Sequence, residues 1–140
     1  MIPRYTPPEM GRIWTDQRRY ETWLSVECAA ADAMAVHGLI PADAARDIRE
    51  RGKVDAARVD EIDRTTRHDV IAFTTAVAEH VGPSARWLHF GLTSSDVLDT
   101  CLAVQLTQAT DILLSDIDWV LKVLKKRAYE LYLIHISEPT

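Results

Sequence analysis

Residues 86–132 read RWLHFGLTSSDVLDTCLAVQLTQATDILLSDIDWVLKVLKKRAYELY, and the fold turns on this stretch. From Val97 onward its apolar residues recur at helical spacing: Leu98, Cys101, Leu102, Ala109, Ile112, Leu113, Ile117, Val120 and Leu124. Neither Pro nor Gly lies between Ser94 and Leu131. The pattern predicts one helix, on the order of 55 Å long at 1.5 Å per residue. A helix of that length cannot bury its stripe within so small a domain, so other long helices must cover it, from later sequence or from other subunits. The expected class is all-α. Its parts are a small helical domain over residues 1–83, a connector and the first long helix of a central bundle over 84–132, and a tail over 133–140.

The start of the long helix carries a second signal. Gly91 breaks what precedes it, and Thr93, Ser94, Ser95 and Asp96 place three hydroxyls and a carboxylate at the tip. The first N–H groups of a helix lack partners and the positive end of its dipole lies there. Ordinary N-capping and the binding of an anion both fit.

Composition narrows the class. The 140 residues are 47% hydrophobic and 26% charged, with a net charge of -5. A basic surplus marks most nucleic-acid binders, so no nucleic-acid partner is expected. No apolar run approaches the ~20 residues of a bilayer-crossing helix, so no membrane partner is expected either. Cys28 and Cys101 sit within helical patterns rather than at disulfide-like spacing, and MIPRYTPPEM lacks the apolar core of a signal peptide; a cytoplasmic protein is expected. Metal-spaced Cys/His clusters, a Gly-rich phosphate loop and internal repeats are missing from the sequence, so metal and nucleotide-loop chemistry are unsupported.

The N-terminal residues resolve into short helices. T-P-P-E at residues 6–9 reads as a capping box opening a helix over Pro7 to Trp14. Before it, Arg4 and Tyr5 are either a solvated charge and a half-buried ring or a pair suited to phosphate. Thr15 or Asp16 caps a second helix with the face Tyr20, Trp23, Leu24, Ala31, Met34 and Ala35, ended by Gly38. Glu27 falls on that face, where an edge position with the carboxylate reaching solvent is expected. Pro41 opens a third helix that ends near Gly52, and a fourth covers Asp55 to Asp63.

In DRTTRHDVIAFTTAVAEHVGP, Thr66 and Asp69 read as another capping box, with Val70, Phe73, Val77 and Val81 as the apolar face behind it. That register puts Arg67 and His68 in a first helical turn, where cations are disfavoured. A broken local rule often marks a functional site, and an imidazole there suits hydrogen bonding or proton transfer. His37 and His80 lie near helix ends and read as structural. His89, beside Trp87 and Phe90, reads as a satisfied core histidine.

Together IPRYTPPEMGRIW, TRHDVIAF and HFGLTSSDVLDT resemble the adenylosuccinate lyase family of the fumarase and aspartase superfamily, over roughly residues 1–131. TSSD is shared across that superfamily, including a cycloisomerase; TRHDV with the Arg-Tyr N-terminus narrows the likeness to the purine enzymes. The resemblance implies a β-elimination. Adenylosuccinate would yield AMP and fumarate, and succinylated aminoimidazole carboxamide ribotide would yield its carboxamide and fumarate. No cofactor is needed. Arg4 and Tyr5 would hold the nucleotide phosphate, and Arg67, His68 and Asp69 would line the site. His68 would act in catalysis by hydrogen-bonding the substrate and supporting proton transfer, while Thr93 and Ser94 would hold a succinyl carboxylate.

The family's second catalytic histidine, in a Thr-His-Gly triplet, and its Ser-rich loop ending Met-Pro-x-Lys-x-Asn have no counterpart in this sequence. His135 stands between Ile134 and Ile136 and is no substitute. The family works as a homotetramer whose sites draw on three subunits, so this chain would supply part of a site and little turnover alone. LIHISEPT, residues 133–140, looks like translated sequencing adapter and is expected to be non-native. Two other readings remain: a non-catalytic all-α module that self-associates, and a fumarate-releasing lyase for another substrate.

Overall fold

The computed structural model describes residues 2–137, apart from the side chains of Pro3 and of residues 133–137. Every regular element among the described residues is helical, so the all-α expectation holds. A 3-10 turn at Pro3–Tyr5 leads into α1 (Pro8–Ile13), α2 (Asp16–Val36), α3 (Ala42–Arg51), α4 (Ala56–Thr66) and α5 (Asp69–Val81). A 3-10 stretch at Gly82–Trp87 then precedes α6 (Ser94–Ser137). The backbone of α6 runs six residues past the Leu131 expected from the apolar pattern. Of the suspected adapter tail, residues 138–140 and all the side chains lie outside the described residues.

Local chemistry explains most boundaries. Thr15 caps α2 by accepting the Arg18 N–H at 3.2 Å, and Gly38 takes the left-handed φ of 69° that turns the chain out of it. Asp55 caps α4 from the Ala57 N–H at 3.0 Å. The T-P-P-E box does not form. Pro7 occupies the cap of α1 without a side-chain bond, while the Thr6 hydroxyl donates to the Ile2 carbonyl at 2.9 Å. Pro41 likewise stands at the cap of α3 without a side-chain bond, and the helix begins at Ala42.

Up to Gln105 the chain forms one compact unit and from Leu106 a second, so the division falls inside α6. The first unit is built around α2 and α5. Val70, Phe73, Val77 and Val81 are all buried, as the periodicity of α5 predicts. Phe73 meets Trp23 edge-on at 5.4 Å and lies parallel to Tyr20 at 6.2 Å. Val97 and Cys101 of α6 join this core. Gln105 is buried as well, and its side-chain amide donates to the Ile13 carbonyl at 2.6 Å, fastening the end of α1 to α6.

Glu27 is 2% exposed, which corrects the expectation of an edge carboxylate reaching solvent. It is tolerated because the His89 backbone N–H donates to it at 2.9 Å and the His89 Nδ1 lies 2.6 Å from its other oxygen. His89 is satisfied, as expected, but through this pair and at the edge of the core. Both cysteines are free and buried, and burial pushes each thiol up from its usual pKa.

The second unit is α6 from Leu106 onward; Ala109 is buried, but most of its large apolar residues are open. Leu113, Ile117, Val120, Leu121 and Leu124 are each about half exposed. Ser94–Tyr132 is also long and apolar enough, by length and composition, to cross a membrane. Scattered Asp and Gln interrupt this stretch, so it is apolar on average without containing an unbroken apolar run.

Two outcomes follow. Phe73→Ala should cost about 3–5 kcal/mol, as for other large aromatic truncations in packed cores, read from urea unfolding followed by circular dichroism. The intact chain should associate at micromolar concentration through α6. Leu113→Lys with Leu121→Lys should shift it toward monomer in analytical ultracentrifugation, and a clean wild-type monomer would contradict this.

Candidate functional site

The Arg67-His68-Asp69 segment is the turn between α4 and α5. The capping box expected from Thr66 is not there. α4 runs on through Thr66, and the Arg67 N–H closes it by donating to the Asp63 carbonyl at 2.7 Å. Arg67 itself takes a left-handed φ of 50°, a costly conformation for a non-glycine residue. His68 is then extended, at φ −153°, and is the N-cap of α5. Neither residue is in a first helical turn. Arg67 sits at the carboxyl end of α4, where a cation is welcome, so the broken rule read from the sequence dissolves for Arg67.

For His68 a different anomaly replaces it, because caps are normally Ser, Thr, Asp or Asn. Its Nδ1 accepts the Ile71 N–H at 3.4 Å. With Nδ1 accepting, the neutral ring carries its proton on Nε2, which leaves a donor at the far edge of the imidazole. The side chain is 45% exposed. Asp69 turns back to its neighbour, accepting the Val70 N–H at 2.7 Å.

The tip of α6 has the polar set the sequence predicts, arranged in one particular way. Asp96 reaches back to accept the Thr93 N–H at 2.8 Å, the carboxylate half of a capping box. Among the described residues the Thr93 and Ser94 hydroxyls make no hydrogen bond, so capping does not consume them. In the 3-10 turn at the N-terminus the Arg4 guanidinium lies 4.6 Å from the centre of the Tyr5 ring, and both side chains are exposed.

The fold therefore brings Arg67, His68 and Asp69 together at one turn, Thr93 and Ser94 at one helix tip, and Arg4 with Tyr5 at another exposed turn. Among the described residues no hydrogen bond or ion pair links the three segments. A cleft of about 540 Å³ between α2 and the end of α3, lined by Gln17, Glu21, Cys28, Arg49 and Lys53 among others, contains none of them. No local sequence signal places Glu27 near the site, because its partner His89 is 62 residues away in sequence. It holds the turn that runs into Thr93.

A family profile described as "Lyase" matches residues 4–135. The chain belongs to this lyase family. The match takes in all three candidate segments. The chain is 48% identical over 130 residues to adenylosuccinate lyase of Bacillus subtilis (strain 168), covering 93% of this chain and 30% of that protein. Adenylosuccinate lyase of Staphylococcus saprophyticus is 49% identical over 128 residues, again with 30% of its length covered. The enzyme of that name from Synechocystis sp. is 48% identical over 130 residues. The chain thus spans about 30% of the length of these relatives.

Among solved structures, 3-carboxy-cis,cis-muconate lactonizing enzyme from Pseudomonas putida superposes with a TM-score of 0.79 at 28% identity, over 90% of this chain and 30% of that one. A fumarate lyase from Mesorhizobium sp. BNC1 gives 0.74 over 82% of this chain and 28% of that one; at 24% identity it speaks for the fold alone.

The cap role of His68 makes a separable prediction. Asn is a stronger cap than most residues, so His68→Asn should leave α5 intact and stabilise the chain by up to about 1 kcal/mol, a rise of several degrees in Tm. Thermal unfolding by circular dichroism measures it. A large loss of stability would mean that the imidazole is held by contacts other than the cap.

Proposed function

We propose that this chain is the front part of an adenylosuccinate lyase, acting in purine biosynthesis. Such an enzyme splits adenylosuccinate into AMP and fumarate and releases fumarate from succinylated aminoimidazole carboxamide ribotide. The observation that carries the reading is the 48% identity to the Bacillus subtilis enzyme of that name across 93% of the chain. The geometry supports it at each segment. Arg4 beside Tyr5 suits a nucleotide phosphate, with a guanidinium fork and a phenol both open to solvent. The unspent hydroxyls of Thr93 and Ser94, at the positive end of a long helix, suit a succinyl carboxylate.

The chemistry is an elimination. A base removes the proton from the carbon beside a carboxylate, the carbon–nitrogen bond breaks, and an acid protonates the departing nitrogen. His68 is the catalytic residue of this chain, its Nε2–H bonding the substrate and supporting the proton transfer, flanked by Arg67 and Asp69. The base and the second histidine come from elsewhere in the enzyme, and no cofactor takes part. Segments with no direct link inside one chain suit a site assembled from several subunits of a cytoplasmic homotetramer. The apolar α6 supplies a bundle helix for that assembly.

The test joins residues 4–131 of this chain to the remaining sequence of the Bacillus subtilis relative. Products are read by chromatography with adenylosuccinate as substrate. The hybrid should release AMP and fumarate, and His68→Ala should lower kcat by roughly 10²–10⁴-fold, the range for a positioned acid–base group. The 140-residue chain alone should show no turnover. A folded hybrid that splits another succinylated compound or argininosuccinate instead would overturn the substrate. One that is assembled but inert on all of them would return the chain to a helical interaction module.

A further inference from the structure

Among the described residues Glu27 is the buried charged side chain for which the proposed reaction has no use. Its surroundings are specific. One oxygen accepts the backbone N–H of His89 at 2.9 Å, and the other lies 2.6 Å from the His89 Nδ1. His89 has a left-handed φ of 60°, one of two non-glycine residues with positive φ among those described. Such a conformation persists only where its surroundings over-determine it. The chain then passes Gly91, also left-handed at 71°, and reaches Thr93 and Ser94 within five residues of His89.

A carboxylate grips both the backbone and the ring of one strained residue, from a helix held rigidly in the core. That is more than solvation of a stray charge requires. A neutral amide of the same shape would keep one acceptor, but it would lose the charge that makes both bonds short and directional. From this geometry we infer that Glu27 is a positioning residue, which acts through His89 to set the turn presenting Thr93 and Ser94 to an anionic substrate group. The proposal rests on the reading that these two residues hold a carboxylate. What it adds is the reason for a charge in the core of α2.

The experiment uses the full 140-residue chain with fumarate as probe, its single proton resonance giving an apparent Kd from line broadening. Wild type should bind saturably and Ser94→Ala should weaken binding by about tenfold, roughly the loss of one charge-assisted hydrogen bond. Glu27→Gln should weaken it at least fivefold with helicity unchanged, Glu27→Asp should restore most of the affinity, and the Glu27→Gln/Ser94→Ala double variant should be no worse than Ser94→Ala alone. If Glu27→Gln binds as wild type does, or if its effect adds fully to that of Ser94→Ala, Glu27 is merely structural and the proposal falls while the carboxylate site stands. If Ser94→Ala binds as wild type does, the carboxylate site itself is wrong. Should Glu27→Gln fail to fold, His89→Asn decides on the same terms, since Asn tolerates the left-handed backbone and lacks the imidazole.

Discussion

The contact of Trp23 with Phe73 is the interaction on which the rest of the first unit depends. Edge-on at 5.4 Å, with Tyr20 completing the group, it locks α2 to α5. Rings of this size dominate the area a small helical unit can bury, and their edge-to-face geometry fixes orientation as well as distance. Because α4 packs against α5, fixing α5 also fixes the turn between them, and with it Arg67, His68 and Asp69. Because Glu27 lies one turn beyond Trp23 on α2, the same lock sets the point from which the turn ahead of α6 is held. One aromatic contact thus governs two of the three candidate segments.

Every candidate residue in this chain stands at the end of a helix or in a 3-10 turn. Physical chemistry favours that placement. Helix ends carry unsatisfied backbone donors and acceptors and the ends of the dipole, so polarity concentrates there while helix middles are spent on packing. The two left-handed non-glycine residues, Arg67 and His89, mark the turns leading into α5 and α6. Strain of this sort persists only when over-determined, and both turns show how. Arg67 closes the hydrogen-bond ladder of α4, and His89 is clasped by Glu27.

What was legible in the sequence follows the range of the forces involved. The α5 face of Val70, Phe73, Val77 and Val81 was readable because helical periodicity is local, and so were the Thr15 and Asp55 starts and the Gly38 stop. Helix-end chemistry alone pointed to Arg67, His68, Thr93 and Ser94, and three short motifs with the resemblance they carry supplied the full set. The Thr66 box failed because two helices competed for one residue: continuing α4 through Thr66 gains a backbone bond that a local reading cannot weigh against a cap. Glu27 failed for the opposite reason. A glutamate on an apolar face looks like an edge residue until a partner 62 positions away is folded onto it, and no window of local sequence contains both.

The exposed α6 leaves one question that energetics can answer: whether protein or lipid covers its apolar surface. Residues 97–114 contain eight Leu, Ile and Val residues, worth about −2 to −5 kcal/mol in all for insertion at −0.3 to −0.6 each. Asp99 and Asp111 oppose this by up to about 2.5–3.5 kcal/mol each, the cost at the centre of a bilayer, and Gln105 and Gln108 add to it. The balance is unfavourable before Asp116 and Asp118 are reached. In a helical bundle the same acidic residues can face the solvent rim, and the leucines then lose water without the carboxylates losing theirs. Gln105 already shows how a protein neighbour satisfies a polar residue on this helix, through the Ile13 carbonyl. The composition that makes α6 resemble a membrane span by average is therefore better matched to the interior of a bundle.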